Sequence, residues 1–178
     1  MSKFYCDYAT TNPIDAAYHN TEYGFPSQDE TILMERLALE IMQAGLTWHL
    51  ILKRRPLMVK AFDDFKVDKI AHYDQAKIDE LLLNPDIIRN RLKVNAIIHN
   101  ANIVKDMRQQ YGGFSKWLDD HHPKTLDEWV KLFKKTFKFT GPEITNEFLM
   151  SLGYLDGAHR ADCPQYQQIL KLSPPWAR

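Results

Sequence analysis

Glu40 and Trp48 are the residues whose chemistry fits their surroundings least. They lie in LALEIMQAGLTWHLILKRRP, Leu37 to Pro56. Leu37, Leu39, Ile41 and Met42 predict a mostly buried helix leading to Ala44-Gly45. A second apolar run, Leu46 to Leu52, ends in Lys53-Arg54-Arg55 and meets Pro56, a stop signal. Glu40 therefore places a carboxylate inside an apolar helix, where a charge is costly unless it is paired. Trp48 follows a glycine turn and is bulky enough to wall a pocket. Spacing alone leaves two readings open. One is a helical hairpin whose Glu caps a neighbouring backbone and whose Trp fills the core. The other is a pocket with one carboxylate and one aromatic face.

A second group with chemical potential lies at the two ends of the chain. Cys6 and His19 stand near the beginning, and His159-Arg-Ala-Asp-Cys163 near the end. The i, i+4 spacing of His159 and Cys163 lets both side chains face one way on a helical turn. Two thiolates and two imidazoles form a tetrahedral set suited to zinc. The alternative is two unrelated cysteines and two of the seven histidines. If zinc is bound, all four positions are filled by protein, which makes a structural clasp rather than a water-activating centre.

The elements that must position these groups read as all-α. Ser27 to Glu30 suggests a capping box opening the Glu40 helix. Pro56 to Phe65 reads as a short amphipathic helix, and Val67 to Leu83 as one or two helices with Asp74 as an N-cap. Asn84-Pro85-Asp86 is a turn signal. Ile87 to Tyr111 follows as a long helix, broken by Gly112-Gly113. Phe114 to Asp120, Leu126 to Thr136 and a last helix from Glu143 to Leu152 complete the pattern, with a loop at His121-His122-Pro123 and a turn at Gly141-Pro142. No alternating strand, repeat or low-complexity segment stands out.

At 178 residues the chain is expected to form one domain, 1–178, or two helical lobes with a pocket between them. Its net charge of zero announces no global basic field. Nucleic-acid contact would therefore need local patches, such as Lys53-Arg54-Arg55, Arg89/Arg91/Lys93 or Lys131/Lys134/Lys135/Lys138. Taken individually, each reads first as a solvated helix face. The start, MSKFYCDYATTNP, has no apolar leader core, and no window approaches the roughly 18 apolar residues of a membrane span. A cytoplasmic protein is expected. Two cysteines exclude a disulfide scaffold and leave room for one bridge.

Taken in order, Cys6, Tyr18-His19, Glu22-Tyr23-Gly24, LALEIMQAGLTW, IIRNRLKVNAIIHNA, FKFTGP and His159-x3-Cys163 follow a known pattern. The chain resembles the DNA-3-methyladenine glycosylase I family over roughly residues 4 to 163. The resemblance implies the helix-hairpin-helix glycosylase architecture and a structural zinc on Cys6, His19, His159 and Cys163. It makes Glu40 the carboxylate that recognises a flipped base and Tyr18 and Trp48 pocket aromatics, with Tyr8 where the family tends to show Trp. Leu81 to Ala101 matches the DNA-binding hairpin and its second helix, with Arg89, Arg91 and Lys93 against phosphates. The partner is double-stranded DNA carrying alkylated bases, and the protein is expected to be a monomer.

The implied chemistry suits these residue types. Alkylation at N3 gives adenine a positive charge that weakens its own glycosidic bond, so selective binding matters more than acid or base assistance. Aromatic faces attract such a cation by roughly 0.5–2 kcal/mol each. A buried carboxylate adds charge-assisted hydrogen bonds. Nothing in the resemblance supplies a Schiff-base lysine, so strand cleavage is not expected. The chain departs from the family pattern at Asn84-Pro85-Asp86, where a glycine is common, at Asp15, often aromatic, at Asn146-Glu147, and in a short segment between Trp117 and Phe137. Two rival functions are a zinc-clasped lesion-binding module without excision and a helical domain with no nucleic-acid role.

Overall fold

In the computed structural model, residues 4–178 are described, so Met1–Lys3 lie outside them. Ten helices follow in order. They are α1 (Pro13–Thr21), α2 (Glu30–Gln43), α3 (Trp48–Ala61), α4 (Val67–Ile70), α5 (Gln75–Leu83), α6 (Arg91–Gln110), α7 (Phe114–His121), α8 (Leu126–Thr136), α9 (Pro142–Ser151) and α10 (Pro164–Lys171). Short 3-10 turns precede α1 and end the chain. No strand occurs among the described residues. None of the helices is long and apolar enough to cross a membrane.

The hub is α2. Every residue from Leu33 to Met42 is buried, including Glu35, Arg36 and Glu40. A helix that is apolar nearly all round must be covered on all sides, and α3, α6, α7 and α9 pack around this one. An aromatic cluster of Phe114, Trp117, Phe133, Phe137 and Phe148 fills the far side. A second, smaller cluster of Tyr18, Tyr23, Leu52 and Ala158, with Tyr5, Trp48 and Met150 against it, walls the site described below.

Several sequence expectations are corrected here. Pro56 does not stop a helix: α3 runs through it to Ala61. The ring forfeits one backbone bond at a cost of about 3 kcal/mol, but Ile51 and Met58, both fully buried in α3, hold the helix to the core on either side of it. The helix expected over Pro56 to Phe65 is thus the end of α3 and a 3-10 turn. The cap of α2 is Asp29, whose Oδ1 accepts from Thr31 N and Ile32 N, rather than a Ser27–Glu30 box. A true capping box opens α8, at Thr125 and Glu128. The helix expected from Ile87 begins at Arg91, because Asn90 caps it and the buried Ile87 anchors the preceding turn. A further helix, α10, follows the one expected to be last, with Pro164 at its first turn, where a missing N–H costs nothing.

Candidate functional site

Between α1, α2, the start of α3 and α9 lies a cavity of about 490 Å³. Tyr5, Tyr8, Tyr18, Tyr23, Glu40, Trp48, Asn146 and Glu147 are among its lining residues. Local chain chemistry places each wall. Asn12 caps α1 and sets Tyr18 on its inner face. Gly45, at a positive φ of 81°, lets the chain reverse between α2 and α3. Thr47 then caps α3, so that Trp48 is its first residue. The Tyr18 and Trp48 rings meet at 5.2 Å between centroids, tilted by 59°. Tyr8 lies at the rim, about half exposed, with its ring 5.2 Å from that of Tyr5.

Glu40 is 3% exposed. Among the described residues no donor reaches its carboxylate, so it holds no neighbouring backbone, and the cavity is the space left to it. Burial pushes its carboxyl well above the ordinary range, Glu147 across the cavity pushes the same way, and Arg36 opposes them. Glu147 is itself raised by burial, although the Tyr23 hydroxyl donates to its Oε2 at 3.0 Å. The pocket is therefore a poor place for uncompensated negative charge and a good one for a cation that would neutralise it.

Arg36 is a supporting residue that the sequence pattern hid. Its guanidinium lies 4.9 Å from the centre of the Tyr18 ring and donates to the Tyr18 hydroxyl at 3.3 Å. It also pairs with Glu22 at 2.9 Å. Arg55 closes the set through Glu22 and Glu35. This network braces the Tyr18 wall from behind. Tyr5 and Tyr23 were likewise invisible to spacing arguments, because helical periodicity does not say which buried face meets a void. Asp15, which departs from the family aromatic, is 5% exposed and belongs to a second group treated below.

Cys6, His19, His159 and Cys163 converge. Their ligand atoms all lie within 4.8 Å of one another. Cys6 Sγ is 3.6 Å from His159 Nδ1, and Cys163 Sγ is 3.5 Å from His159 Nδ1 and 3.8 Å from His19 Nε2. Zinc–ligand bonds of about 2.3 Å to sulfur and 2.0–2.1 Å to nitrogen give a tetrahedral N–S edge of about 3.6 Å. The other ring nitrogens are already engaged: His19 Nδ1 donates to Asn20 Oδ1, and His159 Nε2 to the Tyr23 carbonyl, both at 2.7 Å. Such outer bonds fix which nitrogen faces the ion. Burial also lowers the His159 pKa, favouring the neutral ring that ligates. The residues fit a four-coordinate metal ion. Both cysteines are free, and His159 and Cys163 lie on a non-helical turn, Cys163 capping α10. Gly24, at a φ of 83°, has no room for a side chain beside this cluster: an added Cβ would lie 3.0 Å from Ala158 and 3.2 Å from the His159 ring.

The basic residues divide. Arg89 and Arg91 are exposed at the turn between α5 and α6, Arg91 only 3.5 Å from Asp79. Lys93, expected beside them at a phosphate, is instead 5% exposed. Its Nζ donates to the carbonyls of Met42 (2.9 Å) and Ala44 (2.6 Å), where the dipole of α2 favours a cation. Arg54 donates to the carbonyls of Pro85 and Ile87, and Arg55 is taken by its two glutamates, so only Lys53 of that run is exposed and without a described partner. Lys131, Lys134, Lys135 and Lys138 stay on solvated surface.

A helical fold thus presents an aromatic pocket floored by a buried carboxylate, and a Cys2His2 cluster able to hold a metal ion where the first and last segments of the described chain meet. Residues 8–131 match the methyladenine glycosylase family, and the chain belongs to that family. It is 32% identical to the DNA-3-methyladenine glycosylase of Haemophilus influenzae, covering 89% of this chain and 96% of that protein. Identity to DNA-3-methyladenine glycosylase 1 of Escherichia coli is 31%, covering 90% and 96%. The solved structure of 3-methyladenine DNA glycosylase I from Staphylococcus aureus is similar at a TM-score of 0.80 and 34% identity, over 89% of this chain and 94% of that one. A Tyr→Phe variant of 3-methyladenine DNA glycosylase I in complex with 3-methyladenine gives the same TM-score of 0.80, at 34% identity over 89% and 95%.

Proposed function

We propose that this chain is a monofunctional DNA glycosylase that hydrolyses the N-glycosidic bond of 3-methyladenine, or a closely related alkylated base, in duplex DNA during base excision repair. The observation that carries the reading is Glu40, buried without a protein partner at an aromatic cavity. A base bearing positive charge in DNA supplies what that carboxyl lacks: hydrogen-bond donors and a neutralising charge. Tyr18 and Trp48 offer their faces to the cation, and Tyr8 closes the rim. Unmodified adenine carries no charge and gains less from the same walls, so selection is by differential binding. The energy of holding the flipped cationic base helps offset its unstacking, and its own charge makes it a good leaving group.

The scaffold roles follow. Zinc held by Cys6, His19, His159 and Cys163 clasps the first and last segments and takes no part in the chemistry. Helices α5 and α6 with the turn between them serve as the hairpin of a helix-hairpin-helix unit. There the backbone N–H groups of Ile87, Ile88 and Arg89 donate to no described acceptor, although the Asp86 N–H is already bound by Asn84 Oδ1 at 2.9 Å. Free amides at such a turn can receive a phosphate, and Arg89 and Arg91 add charge there. Residues 1–178 act as one catalytic unit, as a monomer.

Two measurements follow from the division of the basic residues. Arg89→Ala is expected to weaken binding to all duplex sequences alike and to reduce the salt slope by about one. Lys93→Met is expected to leave that slope unchanged and to lower folding stability by about 1–3 kcal/mol, the scale for losing a charged donor to buried carbonyls. A salt slope that responds to Lys93 and not to Arg89 would reverse the assignment.

The reading itself is tested on a duplex holding one 3-methyladenine. The expected product is an abasic site that breaks only under later alkali treatment. A lesion-binding module would shift the duplex in a gel and leave no alkali-sensitive site, and that outcome would overturn the proposal.

A further inference from the structure

Asp15 and His49 form a pair that the pocket chemistry above does not use. His49 Nδ1 lies 2.5 Å from Asp15 Oδ2. The other carboxylate oxygen, Oδ1, accepts from the Tyr5 hydroxyl at 3.0 Å. Asp15 is 5% exposed, whereas the His49 ring is 45% exposed. A carboxylate held from both sides fixes the imidazole with its proton on Nδ1, leaving the Nε2 lone pair free. Among the described residues Nε2 has no protein partner. A surface His–Asp pair is ordinarily just an ion pair of small worth. Here the aspartate is buried and braced by a residue of the pocket wall.

The position matters more than the pair. His49 and Asp15 line a second cavity of about 530 Å³, which shares Tyr8, Gln43 and Trp48 with the base pocket. A base seated between Tyr18 and Trp48 must keep its sugar attached on the side where the pocket opens. The shared walls make the second cavity a space beside that sugar. The titratable groups lining it are Tyr8, Asp15 and His49, with Tyr5 behind Asp15. Glu40 is committed to the base and is buried in the other chamber. Among the described residues, His49 is thus the one imidazole lining the chamber where a water beside the sugar would sit.

We infer that His49, oriented by Asp15, is the general base that activates the hydrolytic water of this glycosylase. This rests on the glycosylase reading above. The step balances without a further reactant. The glycosidic electron pair leaves with the base, which departs neutral because it entered as a cation. The water oxygen bonds to the anomeric carbon, and its proton passes to His49 Nε2 and then to solvent. Asp15 is a positioning residue that steadies the imidazolium formed in passing, and Tyr5 holds Asp15 in turn.

The test is single-turnover excision of 3-methyladenine from duplex DNA by excess enzyme, for the wild type, His49→Gln and Asp15→Asn. Free-base affinity and melting temperature are measured on the same proteins. His49→Gln is expected to slow excision at least tenfold, since a positioned base typically contributes 10²–10⁴-fold. Its affinity for free 3-methyladenine should stay within twofold and its melting temperature close to that of the wild type. Asp15→Asn should slow excision in the same direction. A His49→Gln enzyme excising at the wild-type rate would overturn the inference while leaving the glycosylase reading intact. So would a slower rate matched by an equal loss of free-base affinity, which would mark His49 as pocket structure. A wild type that excises nothing would defeat both.

Discussion

Replacing Glu40 by Gln is expected to weaken binding of free 3-methyladenine by about 1.5–3 kcal/mol, the scale of a hydrogen bond to a charged group. That is roughly a tenfold to hundredfold rise in Kd. Gln keeps the size and one acceptor, so the change isolates the ionisable oxygen. The effect on folding should run the other way. Burial and Glu147 hold the Glu40 carboxyl well above its ordinary value. Its favourable linkage is thus fully present at low pH and is lost as pH rises through the raised pKa. Gln has no proton to lose, so Glu40→Gln should be at least as stable as the wild type toward alkaline pH. Melting temperatures across pH, beside base affinity, decide the matter. Unchanged affinity with lowered stability would return Glu40 to a merely structural role.

With zinc in the Cys/His cluster as proposed, chelation is expected to have the largest effect on stability. The four candidate ligands bring Cys6, ahead of α1, and His19, within α1, beside the turn ahead of α10. Binding energy at a site filled wholly by protein becomes folding energy. For a chain of this size each kcal/mol moves the midpoint by about 2–4 °C. A loss of about 4 kcal/mol on chelation would therefore lower Tm by roughly 8–16 °C. Cys163→Ser should reproduce most of that fall without chelator, and chelator should then add little. One zinc per chain by elemental analysis of protein purified without chelators is the companion result. Absence of zinc, with chelator leaving Tm unmoved, would contradict the clasp.

How much of this was legible depended on the kind of signal. Glu40 and Trp48 stood out because each violates the pattern around it, and both do line the cavity. The Cys/His set was legible because soft ligands are few in this chain. Even so, the non-helical turn that joins His159 to Cys163 differs from the helical one that the i, i+4 spacing suggested. Arg36 was hidden because one cation among ten buried residues of α2 carries no sign of its partners. Lys93 misled for the converse reason. A lysine beside two exposed arginines reads as surface, yet the open end of α2 offers two carbonyls that only folding brings near it. Pro56 read as a stop because sequence punctuation ignores packing on either side. The Asp15–His49 pair joins α1 to α3 across 34 positions and has no local signature at all.

The account stands most directly on release of the base itself. Purified protein is incubated with duplex DNA methylated to carry 3-methyladenine, and the soluble fraction is separated by chromatography. Free 3-methyladenine should appear in step with protein added, the strands should stay intact until alkali is applied, and Glu40→Gln should release it far more slowly. Protein that binds the methylated duplex and releases no free base would contradict the account.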